Sequence, residues 1–316
     1  MPKTALLFPG QGAQHVSMGK DLCEAYPQAR AVFQKADELL GFSLSKVCFE
    51  GPEAELNRTD VSQPAILVHS WAVVEVLKSS EAGRRVLERG IVAAGLSLGE
   101  YSALAAAGAL SWEDACKLVR ARGRYMQQAC DLKPSTMASI VGLDDDKLEA
   151  AIAPARGKGI VVLANFNAPG QVAISGDTAA VEEAMRLAKA AGAKLTVPLA
   201  VAGAFHSPLM EPARERLAAE IETIQFASPQ LGVVANVDAV EHRNPAKLKD
   251  NLVQQLTAPV LWAKSMAALV EQGFDEFIEL GPGTVLAGLL KRVAKTASRT
   301  SIGKATEVAA VLSAGA

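Results

Sequence analysis

Short apolar runs alternate with longer helical patterns along most of the chain. The apolar runs predict strands at residues 4–8, 91–95, 231–236 and 276–280. The three- and four-residue spacing predicts helices at 16–40, 63–78, from 99, 112–130, 208–224, from 245, from 262 and 284–295. Because parallel strands need crossover connections, this alternation predicts an α/β fold with a largely parallel sheet. Residues 296–316 are weakly patterned, and we assign no function to them.

The order of elements changes in the middle of the chain. Residues 137–142, 160–165, 171–176 and 194–199 have strand patterns, and residues 144–153 and 177–191 have helical ones. The resulting order, β-α-β-β-α-β, is that of a ferredoxin-like unit. Since the α/β alternation resumes afterwards, we predict a large domain formed by residues 1–132 and 203–316, with a ferredoxin-like subdomain at 133–202 inserted into it.

The amino-acid composition excludes several classes of protein. Of the 316 residues, 50% are hydrophobic and 21% are charged, which is typical of a globular protein, and the net charge of -2 provides no basic field for nucleic acid or an anionic membrane. We find neither the ~18 consecutive apolar residues of a membrane span nor a signal peptide. The four cysteines lack a CxxC spacing, so we predict a cytoplasmic protein with no metal site.

Residues 95–99, Gly-Leu-Ser-Leu-Gly, form a G-x-S-x-G motif between a predicted strand and a predicted helix. In an α/β-hydrolase-like fold this motif makes a sharp turn that exposes the serine hydroxyl at a helix N-terminus, where backbone N–H groups stabilise an oxyanion. Ser97 is therefore a candidate nucleophile. The alternative interpretation is a glycine-bounded turn in which Ser97 caps the helix.

A serine nucleophile needs a base, and the chain has four histidines. His69 lies in an apolar helical pattern, which predicts a core position, and His242 lies in a polar turn-like segment. His15 has no assigned role. His206 follows the last strand of the predicted insertion, so it can lie at the junction of the two domains, where clefts are common. We expect His206 to be the base; the alternative is a histidine that caps the next helix.

Arg122 falls in the middle of the apolar stripe of the helix predicted at 112–130. A buried guanidinium is costly unless it is paired, and its planar fork suits a carboxylate. This position predicts either a site for a substrate carboxylate or an internal salt bridge. A second candidate segment, Pro-Gly-Gln-Gly-Ala-Gln at 9–14, follows the first strand but matches neither a Walker A loop nor G-x-G-x-x-G, which disfavours nucleotide hydrolysis.

Together these segments resemble the malonyl-CoA:acyl carrier protein transacylases over nearly the whole chain. Seven motifs occur in that family's order: PGQGAQ at 9–14, GLSLGEY at 95–101, the arginine segment at 118–128, NFNAPGQVAISG at 165–176, FHSPLM at 205–210, QQLTAPV at 254–260 and GPG at 281–283. The resemblance implies a malonyltransferase of fatty-acid biosynthesis that acts as a monomer on malonyl-CoA and acyl carrier protein, with no permanently bound cofactor.

The resemblance also implies a role for each site residue. Ser97 would attack the malonyl thioester, and His206 would take its proton and return it to the leaving thiol. The backbone amides of Gln11 and Leu98 would form the oxyanion hole, and a backbone carbonyl at Gln255 would orient the histidine. This is a Ser-His dyad with ping-pong kinetics. Arg122 would hold the malonyl carboxylate.

The chain departs from the family pattern at two positions. Leu96 stands where the family usually has histidine before the nucleophile, and Leu261 stands where it commonly has arginine. We expect activity to survive the first change, because that histidine is not the base. Phe205 before the histidine resembles the residue found in malonyl-selective acyltransferases, and its bulky ring leaves little room for an α-methyl group on the substrate. One methyl group changes the free energy of substrate discrimination by only ~1 to 3 kcal/mol.

Two other functions fit parts of the same sequence. A serine hydrolase such as a thioesterase would use the same elbow and His206, but it has no need for the buried cation at Arg122. A noncatalytic scaffold that binds acyl carrier protein would not need Ser97, His206 and Arg122 together.

Overall fold

The computed structural model describes residues 2–313. Its strands are β1 (Lys3–Phe8), β2 (Gly90–Gly95), β3 (Ser135–Val141), β4 (Val161–Ala168), β5 (Gln171–Asp177), β6 (Leu195–Pro198), β7 (Gly232–Val234), β8 (Glu241–His242), β9 (Phe274–Leu280) and β10 (Ser298–Ile302).

The helices occupy most of the connections between these strands. They are α1 (Lys20–Ala25), α2 (Pro27–Leu40), α3 (Leu44–Glu50), α4 (Glu53–Leu56), α5 (Thr59–Lys78), α6 (Glu81–Arg89), α7 (Gly99–Ala106), α8 (Trp112–Asp131), α9 (Asp145–Ile152), α10 (Thr178–Ala190), α11 (Glu211–Thr223), α12 (Pro245–Gln255), α13 (Trp262–Glu271), α14 (Val285–Val293) and α15 (Ala305–Ser313). Short 3-10 helices lie at Ala153–Lys158 and Pro208–Met210.

The larger sheet has the order β10-β9-β1-β2-β7-β8, and every pairing except β7 with β8 is parallel. Along β1, Leu6 and Phe8 enter one apolar cluster while Ala5 and Leu7 enter another, so both faces of the sheet are covered, as parallel sheets require. Phe8 pairs with Gly95, so β1 and β2 end together at one edge. The prediction of a mixed α/β fold with a largely parallel sheet is confirmed.

The smaller sheet has the order β4-β5-β3-β6 and is antiparallel throughout. Its elements follow the β-α-β-β-α-β order predicted from the sequence. One face of β3, with Ala138 and Ile140, packs into a separate apolar cluster with α9 and α10. Met137 and Ala173 belong instead to the main core cluster, so the opposite face of this sheet packs toward the larger unit.

Some boundaries differ from the sequence prediction. The helix predicted at 16–40 is two helices, because Tyr26 adopts an extended backbone conformation and Pro27 begins a new helix. Helices α3, α4 and α6 were not predicted. Residues 296–316, left without an element, contain β10 and α15 within the described part of the chain. Within residues 2–313, no helix has both the length and the apolar character that crossing a membrane requires.

Candidate active site

The turn between β2 and α7 carries Ser97 at the edge where β1 and β2 end. Ser97 has a φ of 53°, a left-handed conformation that costs about 1–3 kcal/mol in a non-glycine residue. A Cβ on Gly95 would lie 2.0 Å from the Gly99 carbonyl carbon, and one on Gly99 would lie 2.2 Å from the Phe8 carbonyl oxygen, so the turn needs both glycines. The N-cap of α7 is Leu98, and no side chain of the described residues 2–313 caps this helix; the alternative interpretation of Ser97 as a cap is wrong.

Ser97 and His206 are hydrogen-bonded although they lie 109 positions apart in the chain, with 2.8 Å between Ser97 Oγ and His206 Nε2. His206 Nδ1 lies 2.8 Å from the backbone oxygen of Gln255. A carbonyl oxygen only accepts, so Nδ1 carries the proton and Nε2 is free to accept the serine proton. The next helical turn is capped by Ser207, whose Oγ accepts from Leu209 N, rather than by His206.

Two serines of the smaller sheet hold the loop that carries His206. Ser175 Oγ donates to the backbone oxygen of Phe205 over 2.6 Å, and Ser135 Oγ accepts from the backbone N–H of Ala204 over 3.2 Å. His206 itself has a φ of 55°. Residues in this region persist only where their surroundings fix them, and these bonds contribute to that fixation.

Arg122 is 1% exposed, and its guanidinium reaches the serine. Nη2 donates to Ser97 Oγ over 3.0 Å and to Gln255 Oε1 over 2.9 Å, and Nη1 donates to Gln63 Oε1 over 2.7 Å. All three acceptors are neutral. Within residues 2–313 Arg122 forms no ion pair, and its Nε has no hydrogen-bond partner, so the alternative of an internal salt bridge is wrong.

These groups face a cleft of about 380 Å³ between the two sheets. Gln11 and Leu98 line it, and neither backbone N–H donates a hydrogen bond within residues 2–313. The loop that holds Gln11 is fixed by Gln14, whose side chain accepts from Gly12 N and donates to Asn57 Oδ1. The cleft is lined by Gln11, Gly12, Gln14, Asn57, Leu96, Ser97, Leu98, Arg122, Met126, Met137, Asn165, Asn167, Ala173, Leu199, Ala200, Val201, Phe205 and His206.

Three buried polar residues of the site were not predicted from the sequence: Gln63, Glu100 and Asn236. Gln63 lies on the buried helix α5, where it is a polar residue among apolar ones. The same kind of signal, a polar residue within an apolar stripe, singles out Arg122 in the sequence. Glu100 follows the elbow motif directly. Asn236, just beyond β7, accepts from the Ser97 N–H over 2.6 Å and donates to the Gly95 oxygen over 2.7 Å.

The remaining histidines lie away from this cleft. His69 is 1% exposed, as predicted for a core position, and together with His15 it lines a separate cavity of about 470 Å³. His242, predicted in a solvated turn, lies in β8 and is half-buried, with Nε2 2.9 Å from Asp238 Oδ2. The turn predicted from the polar sequence around His242 is instead a short antiparallel strand at the edge of the larger sheet.

Burial and then the positive charge of Arg122 lower the pKa of His206 to about 4. The neutral imidazole is the form that accepts the serine proton. We therefore expect kcat/KM for acylation by the uncharged ester 4-nitrophenyl acetate to persist below the ordinary histidine pKa of about 6.5 and to fall as the pH approaches 4. Stopped-flow rates from pH 4 to 8 measure this. Replacement of His69, whose pKa burial also lowers to about 4, by glutamine should leave the profile unchanged. A midpoint near pH 6.5 would contradict the expectation.

The model of the acyl transferase domain family matches residues 5–312, and the chain belongs to this family. A relative from Bacillus subtilis named malonyl CoA-acyl carrier protein transacylase is 44% identical and covers 93% of this chain and 91% of its own length. The resemblance to these transacylases that the seven motifs indicated is confirmed.

Solved structures agree with this placement. An acyl carrier protein S-malonyltransferase from Vibrio cholerae is 42% identical, with a TM-score of 0.91 over 98% of this chain and 99% of its own. A second structure is described as a type II PKS acyl-carrier protein in complex with its malonyl-transacylase. It is 39% identical, with a TM-score of 0.90 over 99% of both chains.

Proposed function

We propose that this protein transfers the malonyl group of malonyl-CoA to the phosphopantetheine thiol of an acyl carrier protein, and so supplies extender units for fatty-acid biosynthesis. The observation that carries the proposal is the buried guanidinium of Arg122, 3.0 Å from the hydroxyl of Ser97, with only neutral acceptors around it. A carboxylate on the acyl group would supply a direct partner for this charge, which Glu100 does not, because the Gln255 side chain lies between Glu100 and the guanidinium. The names of the relatives support the same substrate and partner.

In the first half-reaction Ser97 Oγ attacks the thioester carbonyl carbon while His206 Nε2 takes the hydroxyl proton. The backbone N–H groups of Gln11 and Leu98 would hold the oxyanion that forms, since both residues line the cleft and neither N–H donates a hydrogen bond within residues 2–313. When the intermediate collapses, the carbon–sulfur bond breaks and His206 returns the proton to the sulfur of CoA. A malonyl ester on Ser97 remains.

In the second half-reaction the carrier's thiol attacks this ester. His206 takes the thiol proton and returns it to Ser97 Oγ as the ester carbon–oxygen bond breaks. Gln255 keeps the imidazole in one tautomer through its backbone oxygen, so a dyad suffices without a carboxylate on His206. Because CoA leaves before the carrier enters, the kinetics are ping-pong.

Phe205, 5% exposed, lines the cleft beside the base and sets the room available at the α-carbon of the acyl group. Its ring favours malonyl over methylmalonyl by sterics, as the family pattern implies. Of the two family positions that differ here, Leu96 lines the cleft and Leu261 donates its backbone N–H to the Asn236 oxygen. Neither change removes a group from the proposed reaction.

We also propose the domain division expected from the sequence. Residues 1–132 and 203–316 would form an α/β-hydrolase-like domain, and residues 133–202 a ferredoxin-like subdomain. The strand orders of the two sheets and the insertion of β3 to β6 between α8 and β7 support this division. The protein would act as a cytoplasmic monomer and would need no resident cofactor, since the thioester and the acceptor thiol come from its substrates.

The proposal is tested by the intact mass of the protein after brief mixing with malonyl-CoA, and again after addition of carrier protein that bears its phosphopantetheine arm. We expect a malonyl adduct that is absent in Ser97→Ala and that passes to the carrier faster than it is lost to water. An adduct lost to water at the same rate with or without carrier would indicate a hydrolase. No adduct on the unmodified protein would contradict the assignment of the nucleophile.

A further inference from the structure

Glu100 is a buried carboxylate behind the nucleophile that takes no part in the reaction proposed above. It lies in the first turn of α7 and is 1% exposed. Its Oε2 accepts from the backbone N–H of Asn236 over 3.0 Å and from Gln255 Nε2 over 2.8 Å. Within residues 2–313 its other oxygen, Oε1, has no hydrogen-bond partner. One oxygen therefore joins two segments that are distant in sequence.

The first branch of this network leads from Asn236 to Ser97. Every polar group of Asn236 is used: the backbone N–H donates to Glu100, Oδ1 accepts from Ser97 N, Nδ2 donates to the Gly95 oxygen, and its backbone oxygen accepts from Leu261 N. The side-chain amide thus connects the first residue of the strained turn, Gly95, with Ser97 at its centre. Because Ser97 is held at a positive φ, its geometry depends on such contacts.

The second branch leads from Gln255 to Arg122 and His206. Its Nε2 donates to Glu100 and also to the Ser97 oxygen, while its Oε1 accepts from Arg122. Nε2 lies beside two acceptors, and the guanidinium only donates, so the orientation of the amide is determined. The backbone oxygen of the same residue accepts from His206.

We propose that Glu100 is a positioning residue: through Asn236 and Gln255 it holds the nucleophile, the base and the guanidinium in one arrangement. The inference rests on the proposed acyl transfer at Ser97. Both branches converge on a single acceptor oxygen, and loss of that oxygen removes one hydrogen bond from each branch at the same time. A buried donor left without an acceptor is costly. The backbone N–H of Asn236 and the side-chain amide of Gln255 would therefore shift toward other acceptors.

The surroundings of Glu100 are consistent with a residue that positions other side chains. Burial raises its pKa to about 7, against the opposing effect of the N–H donors of Asn236 and Gln255. Arg122 also favours the ionised form, whereas Asp238 disfavours it. The network uses one acceptor oxygen at this distance from the backbone, which glutamine keeps. The NH2 group of glutamine would take the place of Oε1, which has no hydrogen-bond partner within residues 2–313, so this variant should lose stability while the contacts of the network remain.

The test compares Glu100→Gln, Glu100→Asp and Glu100→Ala in the full chain. The readout is the acylation rate of Ser97, measured with malonyl-CoA and separately with 4-nitrophenyl acetate. Each rate is divided by the concentration of active sites, which is obtained from the initial burst of 4-nitrophenol. We expect the Gln variant within about 5-fold of wild type, since it keeps one acceptor at full length. The Asp variant should be slower by about 10-fold and the Ala variant by about 30- to 100-fold, with KM for the ester unchanged, because misplaced groups slow the chemical step.

Glu279 provides a matched control outside the site. It is also a carboxylate 1% exposed, and it accepts from the backbone N–H groups of Leu286 and Ala287. We expect Glu279→Ala to lower the thermal midpoint but to leave acylation per site near wild type. Equal loss in Glu279→Ala and Glu100→Ala would overturn the positioning role, as would an Asp variant faster than the Gln variant. If wild type reacts with the ester but not with malonyl-CoA, the proposed function fails while the comparison of variants on the ester still decides the role of Glu100.

Discussion

Replacing Arg122 with alanine is expected to abolish the preference for malonyl over acetyl groups. A close charge pair in a desolvated site is worth several kcal/mol, so kcat/KM for malonyl-CoA should fall by at least about 100-fold, or about 2.7 kcal/mol. Acetyl-CoA has no carboxylate that needs the guanidinium, and we expect its transfer to rise. The measurement is the ratio of kcat/KM for the two substrates, with the same carrier protein as acceptor.

This ratio separates the effect of the substitution on recognition of the malonyl carboxylate from its effect on the stability of the fold. Arg122 holds Gln63 and Gln255, so its loss leaves two buried amides without a donor and lowers the free energy of unfolding. Such damage affects both substrates equally and cancels in the ratio. Arg124, exposed on the same helix, provides the control, and Arg124→Ala should keep the wild-type preference. An equal loss for malonyl and acetyl groups would refute the proposed carboxylate role.

Replacing His206 with alanine is expected to slow acylation of Ser97 at neutral pH by about 10²- to 10⁴-fold, the usual range for loss of a general base. The serine hydroxyl would keep its contact with Arg122 but lose the acceptor of its proton. Single-turnover formation of the malonyl enzyme, followed by mass, measures the effect. His242→Ala, at a histidine outside the cleft, should acylate at the wild-type rate.

The double replacement Ser97→Ala with His206→Ala supplies the decisive comparison. Residues that act as one unit show non-additive losses, so residual transfer of malonyl groups from malonyl-CoA to the carrier thiol should be no slower in the double variant than in Ser97→Ala alone. If the two losses multiply instead, the histidine contributes independently of the serine, and the 2.8 Å bond between them is not the basis of catalysis.

The sequence identified those parts of the site that depend on local pattern. The elbow around Ser97 is local, because its two glycines and its serine fall within five residues between a strand and a helix. Arg122 was found because a charge interrupts an apolar stripe. The tie between Ser97 and Asn236 was not predicted, because it joins residues 139 positions apart and needs the register of β2 and β7.

The same distinction explains the missed elements of the fold. Within residues 2–313, strand β10 pairs only with β9, at the edge of the larger sheet, and three of its five residues are serine or threonine. An edge strand needs little apolar surface, so its sequence lacks the run that revealed the central strands. The inner strands β1 and β2 are buried on both faces along most of their length, and their continuous apolar runs therefore predict strands.

The anchoring of the His206 loop by Ser135 and Ser175 has a consequence for chimeric enzymes. Ser97, the proposed nucleophile, follows a strand of the larger sheet, whereas the loop that carries His206, the proposed base, is hydrogen-bonded to side chains of the smaller sheet. Strand β4 is further joined to the larger unit through the Phe166 N–H and the Val260 oxygen. Grafting the smaller sheet from another family member would therefore replace both the anchors of the His206 loop and one wall of the cleft. We expect a graft that retains serine at both anchor positions to keep Ser97 and His206 within hydrogen-bonding distance.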